Sequence, residues 1–510
     1  MNICIIGTGY VGLVTGASLA YLGNNVACVD INREKIDKLK QGISPIYEPG
    51  LDELLKVGIN SGALSFTTKL EDGANDAEVI YIAVGTPSSA DGSPDLSYVK
   101  AAAQEIGRCI VSNFDKGLFR IIINKSTVPL GSGNWVEMLM REEIRKLFPQ
   151  VSNDNSLIEN GQPENTDQSC KASLEEIFQT FTVVSNPEFL REGTAIGDTF
   201  YTNRIVVGAN NEKAFDVLRK LYQPLLNQDF NPPASISPRP ANLTSVPLVT
   251  TDLTSAEMIK YAANSFLAIK ISFANEMANI CEQTGADIKQ VAEGIGLDQR
   301  IGTRFLNAGI GWGGSCFGKD VSALIETARE YSYEPQLLVA AREVNARQRQ
   351  LVIQKLQSTL RIIKGKTIGL LGLAFKPDTD DVRDAPSYDI ASALIKMGAH
   401  VKVYDPIAME AFQSQHPTLE VKYSGNALEL ATECDALVVV TEWNEFQQLD
   451  LTEIYHLMSG SVLIDGRNIF EPRKASEIGF RYLSIGREIP EKYEKPEKKG
   501  EDLISRKTIA

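Results

Sequence analysis

The sequence predicts an α/β protein made of two doubly wound domains joined by a long central helix. Three observations predict it. Short apolar runs alternate with helical patterns over residues 1–210, a second such series runs over 365–480, and a proline-free helical stretch lies between them. At 510 residues the chain has room for about three domains.

The elements follow in order. Asn2–Ile6 is a short apolar strand. Gly7-Thr8-Gly9-Tyr10-Val11-Gly12 follows at once, then a helical stretch to Gly23 and a strand Asn25–Val29 ending at Asp30. Further buried strands are expected at Val79–Val84, Phe119–Asn124 and Phe181–Ser185, in a parallel sheet. Two polar stretches interrupt this order. Residues 151–173, rich in Asn, Ser, Glu and Gln, read as an insertion; Asp229–Thr250, with five prolines in 22 residues, reads as a mobile loop in a connecting segment 211–250. From Ser255 to Gly285 the pattern is helical without a break, capped by Thr254 or Ser255. A helix of that length spans ~45 Å. It can join two domains and, through Ala262, Ala263, Phe266, Ile269 and Phe273, form a homodimer core in a helical region 251–346. The second series has strands at Thr367–Leu373, Val401–Tyr404, Ala436–Val440 and Val462–Ile464 and a helix at Ser387–Met397, but no G-x-G-x-x-G. Residues 481–510 mix Lys and Glu and read as a loosely held charged tail.

Composition narrows the function. Lys+Arg is 51 against Asp+Glu 65, a net charge of −14, which argues against a surface built for nucleic acid or anionic membrane. No apolar run reaches the ~18–20 residues of a membrane helix. The apolar N-terminus has no Lys or Arg before Arg33, so it does not read as a signal peptide. The seven cysteines are scattered and contain no CxxC, so neither a disulfide framework nor a zinc ribbon is indicated and a reducing cytoplasm is the simplest home. The three histidines, His400, His416 and His456, all lie late in the chain. Chemistry in the first three quarters therefore falls to carboxylates, lysine or cysteine, and no metal site is expected.

A lone G-x-G-x-x-G is weak evidence, and a glycine turn can serve packing alone. Here it follows a strand, opens a helix and has Asp30 eighteen residues past its third glycine. That context is a Rossmann-like dinucleotide site. Gly7 makes the tight turn, Gly9 admits a pyrophosphate to the backbone and Gly12 lets helix and strand pack. Asp30 accepts hydrogen bonds from ribose hydroxyls and repels a 2′-phosphate, favouring NAD over NADP.

Ile301–Asp320 is the chemical centre of the chain. Glycines 309, 311, 313 and 314 deliver Cys316 to the start of a helix containing Val321–Tyr331, where the helix N-terminus and Lys319 would lower the thiol pKa. Asp320 follows four residues later on the same face. Core packing is the alternative for any cysteine, and it fits Cys4, Cys28 and Cys281 better. Lys260 and Asn264, an i, i+4 pair, can hold an oxyanion or be a solvated strip, and in isolation the strip is the simpler reading. Glu188 and Glu192 read either as helix-start carboxylates or as site groups at the end of a sheet strand.

Together these motifs resemble a known family. GTGYVG at 7–12, GTP at 85–87, KSTVP at 125–129, NPEFLREG at 186–193, KYAANSFLA at 260–268, RIGTRFLNAGIGWGGSCFGKD at 300–320 and AFKPDTDDVRDAPS at 374–387 occur in the order of the UDP-glucose 6-dehydrogenases. These are nucleotide-sugar dehydrogenases that oxidise a sugar C6 alcohol to a carboxylate. The resemblance implies that Val11, Asp30, Lys35, Thr86, Thr127, Glu192, Lys319 and Arg383 contact NAD. It places Glu188, Phe189, Leu190, Arg191, Glu192, Lys260, Asn264, Phe305, Leu306, Asn307, Ala308, Gly309, Gly313 and Lys376 around UDP-glucose. Cys316 is the matching nucleophile, and Arg300 matches an arginine that reaches a neighbouring subunit's substrate. Gly318 departs from the family, where proline is frequent, and is expected to loosen the turn after Cys316.

The implied chemistry suits these residue types. Alcohol-to-acid oxidation removes two hydrides, so two NAD are used in turn; Cys316 holds the aldehyde as a thiohemiacetal, then a thioester, which water hydrolyses. Lys260 and Asn264 stabilise oxyanions, while Asp320, Thr127 and Glu188 position or activate water. UDP-N-acetylmannosamine and GDP-mannose dehydrogenases share this plan and are the alternatives for the sugar. A non-catalytic nucleotide-sugar sensor is the alternative from another class.

Overall fold

The computed structural model describes residues 1–87, 94–114, 117–147, 173–234, 236 and 238–487. The polar insertion, apart from Ser173, lies outside them with Cys170 and residues 488–510 of the charged tail; the start of that tail is not loosely held, because Arg481–Ser484 is a strand paired with Val462–Asp465.

Two sheets organise the chain. In the first, β1 (Asn2–Ile6), β2 (Asn25–Val29), β3 (Leu64–Thr67), β4 (Val79–Ile82), β5 (Arg120–Asn124), β6 (Phe181–Ser185), β7 (Ile205–Ala209) and β8 (Leu248–Thr251) lie in the order β3-β2-β1-β4-β5-β6-β7-β8. In the second, β9 (Thr367–Leu371), β10 (His400–Tyr404), β11 (Val421–Tyr423), β12 (Ala436–Val439), β13 (Val462–Asp465) and β14 (Arg481–Ser484) lie in the order β11-β10-β9-β12-β13-β14. The first six strands of each sheet thus follow one plan. Central strands such as β4 and β5 are buried along their whole length, which explains the apolar runs Val79–Ile82 and Ile121–Ile123 at their centres.

Several expectations change. The first sheet is not wholly parallel, because β7 runs antiparallel to β6. The proline-rich stretch is not simply a loop. Its end forms the edge strand β8, paired with β7; Val246 is buried, and the Phe230 ring packs 5.3 Å from that of Phe200. Its prolines precede the strand, where no ladder N–H is demanded of them.

The glycine turn forms as its residue types demand. Gly7 has φ +97, and a Cβ there would lie 2.6 Å from the Ala83 carbonyl; a Cβ on Gly12 would lie 1.9 Å from the Gly7 carbonyl. The helix Tyr10–Tyr21 can therefore press its first turn against the sheet. The equivalent turn after β9 is closed differently. Asp405, directly after β10, is buried and its carboxylate accepts from the N–H groups of Leu373 (2.7 Å), Ala374 (3.1 Å), Ile407 (3.0 Å) and Ala408 (2.8 Å) and from the Trp443 indole (3.0 Å).

The central helix spans Leu253–Thr284. Its cap is Asp252, whose side chain accepts from the Ser255 N–H, rather than Thr254 or Ser255; Gly285, with φ +75, ends it. Ala278 and Cys281 near its end enter the core of the second sheet, while its first turns pack on the first. No helix among the described residues is long and apolar enough to cross a membrane, and no group of three or more His, Cys, Asp or Glu could hold a metal ion.

Candidate active site

A cleft of about 2560 Å³ runs between the C-terminal ends of the first sheet's strands, the central helix and the second domain. Gly9 and Val11 line one end, and a Cβ on Gly9 would meet nothing within 4 Å, the clearance a pyrophosphate needs. Gly7 and Gly12 lie beneath, as packing requires. Asp30 accepts from the Thr8 N–H (2.9 Å), the Thr8 hydroxyl (2.7 Å) and Lys35 Nζ (3.1 Å). Burial works against its charge, but these donors and the Asn32 N–H hold its carboxyl below the usual range, so it stays ionised. Thr86 donates to the Thr127 carbonyl (2.9 Å), tying together the loops after β4 and β5 at the cleft wall.

Further along, the central helix carries Lys260 and Asn264 inward. Both are buried, so the solvated-strip reading fails. Lys260 Nζ donates to the Glu188 carboxylate and the Glu188 carbonyl, both at 2.7 Å. Asn264 Nδ2 donates to Asp320 Oδ2 at 2.7 Å, and Lys319 Nζ to Asp320 Oδ1 at 2.7 Å. Glu188 and Glu192 are not helix-start residues. Their loop leaves β6 and ends before the helix Ala195–Phe200, because the buried pair with Lys260 holds Glu188 in the cleft. Burial alone would raise the Glu188 pKa, but Lys260, the Leu190 N–H and Lys125 bring it below the ordinary value.

Cys316 caps the helix Phe317–Glu330. Burial pushes its thiol above the usual range, against the pull of Lys260, with Glu188 and Asp320 adding to the rise. Two expectations are corrected here. The resting group is a thiol rather than a ready thiolate, and the cation acting on it is Lys260, because Lys319 is engaged by Asp320. Gly318 loosens nothing: it lies in the helix, where Asp320 N–H donates to the Cys316 carbonyl at 2.9 Å.

The second domain closes the cleft. Arg383 donates to Asp381 (2.7 and 2.9 Å) and, across the domains, to Glu192 (2.8 Å). Burial and the facing Asp381 push Glu192 up to about 8, and burial lowers Lys376 beside it. Phe189 lies under the Arg204 guanidinium, 3.8 Å from its carbon, and Arg191, at the cleft wall with Leu190, is paired with Asp198 (2.6 Å). Phe305, Leu306, Asn307, Ala308 and Gly313 line the cleft, whereas Gly309 is pinned beside it, its N–H donating to Asn275 (2.8 Å). Arg300 is not brought to the cleft of its own chain. Its side chain is 89% exposed and clasps Asp298, two residues away.

Three groups at the site escaped the sequence reading. Glu48 accepts from Tyr10 OH and from the Gly193 N–H (2.7 Å), joining the dinucleotide turn to the Glu188 loop. Asn345 holds both the N–H (2.7 Å) and carbonyl (3.0 Å) of Trp312. Neither has a local signal. Arg467, which holds the Gly311 carbonyl (3.1 Å), follows a strand end, and that position was a usable sign.

Comparison with known proteins agrees with this geometry. Residues 1–226 match the NAD binding domain of the UDP-glucose/GDP-mannose dehydrogenase family, 254–347 its central domain and 369–472 its UDP binding domain. A Bacillus subtilis UDP-glucose 6-dehydrogenase is 42% identical over 95% of this chain and 93% of its own length. A UDP-glucose dehydrogenase from Pyrobaculum islandicum superposes with a TM-score of 0.80 at 34% identity, covering 95% of this chain and 98% of that one. A UDP-D-ManNAc dehydrogenase from Pyrococcus horikoshii gives 0.73 at 26% identity, over 96% and 99%. With the glycine turn and Asp30 at one end of the cleft and the Cys316 pocket at the other, the chain is an NAD-dependent member of the UDP-glucose/GDP-mannose dehydrogenase family.

Proposed function

We propose that the protein oxidises the C6 alcohol of UDP-glucose to the carboxylate of UDP-glucuronate in two hydride transfers. The observation that carries this is the convergence of Cys316, Lys260–Glu188 and Asn264–Asp320 in one buried pocket on the cleft. NAD supplies the hydride acceptor for both steps; Gly9, Val11, Asp30, Lys35, Thr86 and Thr127 hold it. Loss of a hydride and a proton from the alcohol leaves an aldehyde. The Cys316 sulfur adds to that carbonyl, giving a thiohemiacetal whose oxygen takes a proton. Loss of a second hydride and proton leaves a thioester, and water then releases the acid and the thiol. Lys260 and Asn264 donate to each oxyanion, and Asp320, Thr127 and Glu188 orient the water. The second domain holds the UDP moiety.

Two further assignments belong with this reading. The chain works as a homodimer through the central helix, which leaves Phe266, Phe273 and Ile280 exposed on one face at seven-residue spacing. It resides in a reducing compartment, the cytoplasm, in keeping with six unpaired cysteines among the described residues.

The test is NADH formation from a panel of UDP-glucose, UDP-N-acetylmannosamine and GDP-mannose. UDP-glucose should give two NADH per sugar, and NADP should serve at least about tenfold less well, ~1.4 kcal/mol of discrimination at Asp30. Preference for another sugar overturns the substrate. Cys316→Ala should keep both ligands bound and yield slow aldehyde but almost no acid; near-normal acid overturns the covalent route.

A further inference from the structure

Beneath the Lys260–Glu188 pair lies a line of polar side chains that the chemistry above leaves unused. Lys125, the first residue after β5, does not line the cleft. Its Nζ donates to Asn186 Oδ1 at 2.9 Å, so its hydrogen-bond acceptor is an amide rather than a carboxylate. The same oxygen accepts from Tyr222 OH at 2.6 Å, and the Tyr81 hydroxyl stands 2.7 Å from that of Tyr222. Asn186 is pinned on its other sides as well: its backbone N–H donates to the Asn124 carbonyl (3.1 Å) and its Nδ2 to the Val206 carbonyl (2.6 Å). Asn186 is the root of the loop that carries Glu188 two residues later.

We propose that Lys125 is a positioning residue for the reaction: through Asn186 it anchors the Glu188 loop, and with Lys260 it faces Glu188 as the second of two cations. This rests on the function proposed above. Lys260⁺ and Glu188⁻, both buried, and the half-buried Lys125⁺ together carry one net positive charge, which favours every anion the pocket must bear: the alkoxide, the tetrahedral oxyanion and the Cys316 thiolate. Glu188 alone with Lys260 would be neutral and offer less.

The groups facing this trio identify what titrates. Burial pushes Lys125 down to about 8, against Glu188 and with the help of Lys260. Burial also acts against the Lys260 charge, but Glu188, Cys316 and Asp320 hold its pKa above the ordinary value. Burial pushes Tyr222 and Tyr81 out of the working range. Lys125 is therefore the member of the trio that loses its proton first. Above about pH 8 the pocket loses its surplus charge and turnover falls.

Steady-state turnover of the full-length protein with UDP-glucose and NAD is compared for wild type, Lys125→Met and Lys125→Arg between about pH 6.5 and 10. In Lys125→Met, kcat should fall at least about tenfold while both KM values stay within about threefold, because the residue touches neither ligand. Its alkaline limb should vanish. Lys125→Arg keeps the charge at every pH, so it should recover much of kcat and move the limb up by more than about one unit. A limb at the same pH in both variants overturns the inference, as does wild-type kcat in Lys125→Met. Melting temperatures identify a variant that fails to fold, and the other then decides. Alkylation of Cys316 by iodoacetamide, read by peptide mass, needs no sugar. Its rate at about pH 7, where Lys125 still carries its proton, should fall in Lys125→Met and hold in Lys125→Arg. An unchanged rate at that pH in Lys125→Met overturns the inference even if UDP-glucose proves not to be the substrate.

Discussion

At the residue scale the site turns on one sulfur and the cation that acts on it. Cys316 is held above the ordinary thiol range by burial, and Lys260 opposes that rise. At neutral pH it therefore rests as the thiol. Its alkylation should therefore be slow near neutrality and climb through pH 9 without a plateau, and Lys260→Met should slow it further. A plateau below pH 8, measured by peptide mass, would show a thiolate already formed. Cys316 itself was legible, because glycines on one side and a helix on the other mark a backbone shaped for chemistry. Its effective partner was not. Lys319 is the nearest cation in the chain, yet Lys260 acts, because folding brings the central helix against the loop and leaves Lys319 to Asp320. The burial of Lys260 and Asn264 was equally invisible: a charged residue on a helix reads as solvated until its partner across the fold is known.

At the element scale, the central helix does two jobs with opposite faces. One carries Lys260 and Asn264 into the cleft; the other leaves Phe266 62% and Phe273 46% exposed. Replacing both phenylalanines with glutamate would place four charges at the two-fold interface proposed above. Light scattering at micromolar concentration should then report a monomer where the unaltered chain gives a dimer or larger assembly; an unchanged mass places the interface elsewhere. The length of this helix was legible from its unbroken pattern, and its cap was missed by two residues, since Asp252 competes with Thr254 and Ser255 for the same role. The antiparallel β7 had no signal, because an apolar strand reads alike in either direction. Prolines hid β8, which lies just beyond them.

At the scale of the molecule, the two domains meet where the loops 186–193 and 374–387 touch. Gly193 has φ +80, and a Cβ there would stand 2.1 Å from the Asp378 carbonyl, while its N–H is held by Glu48. Gly193→Ala should cost about 1–3 kcal/mol of stability from backbone strain and overpacking together. It should also raise the KM values for NAD and the sugar alike by about tenfold, since through Glu48 and Tyr10 the contact ties the dinucleotide turn to the second domain. Unchanged KM values would show that the domains meet without shaping the site. The twofold sheet plan was legible as alternating strands and helices. How the halves meet was not, because it depends on contacts such as Arg383 with Glu192, 191 residues apart in sequence.

The two halves share a strand order and a carboxylate after their second strand, but they use it oppositely. Asp30 lies half-open beside the cleft. Asp405 is spent on five donors of its own domain, including the amides of the very turn where a pyrophosphate would rest, and no helix begins there until Pro386. Among the described residues the two sheets thus offer a single such seat for a dinucleotide. The four-electron oxidation proposed above would then run as a relay: the first reduced carrier would depart and a fresh one arrive midway through each cycle, with the half-finished sugar still aboard. The bond to Cys316 proposed above would let the door at one end open while the cargo at the other stays put.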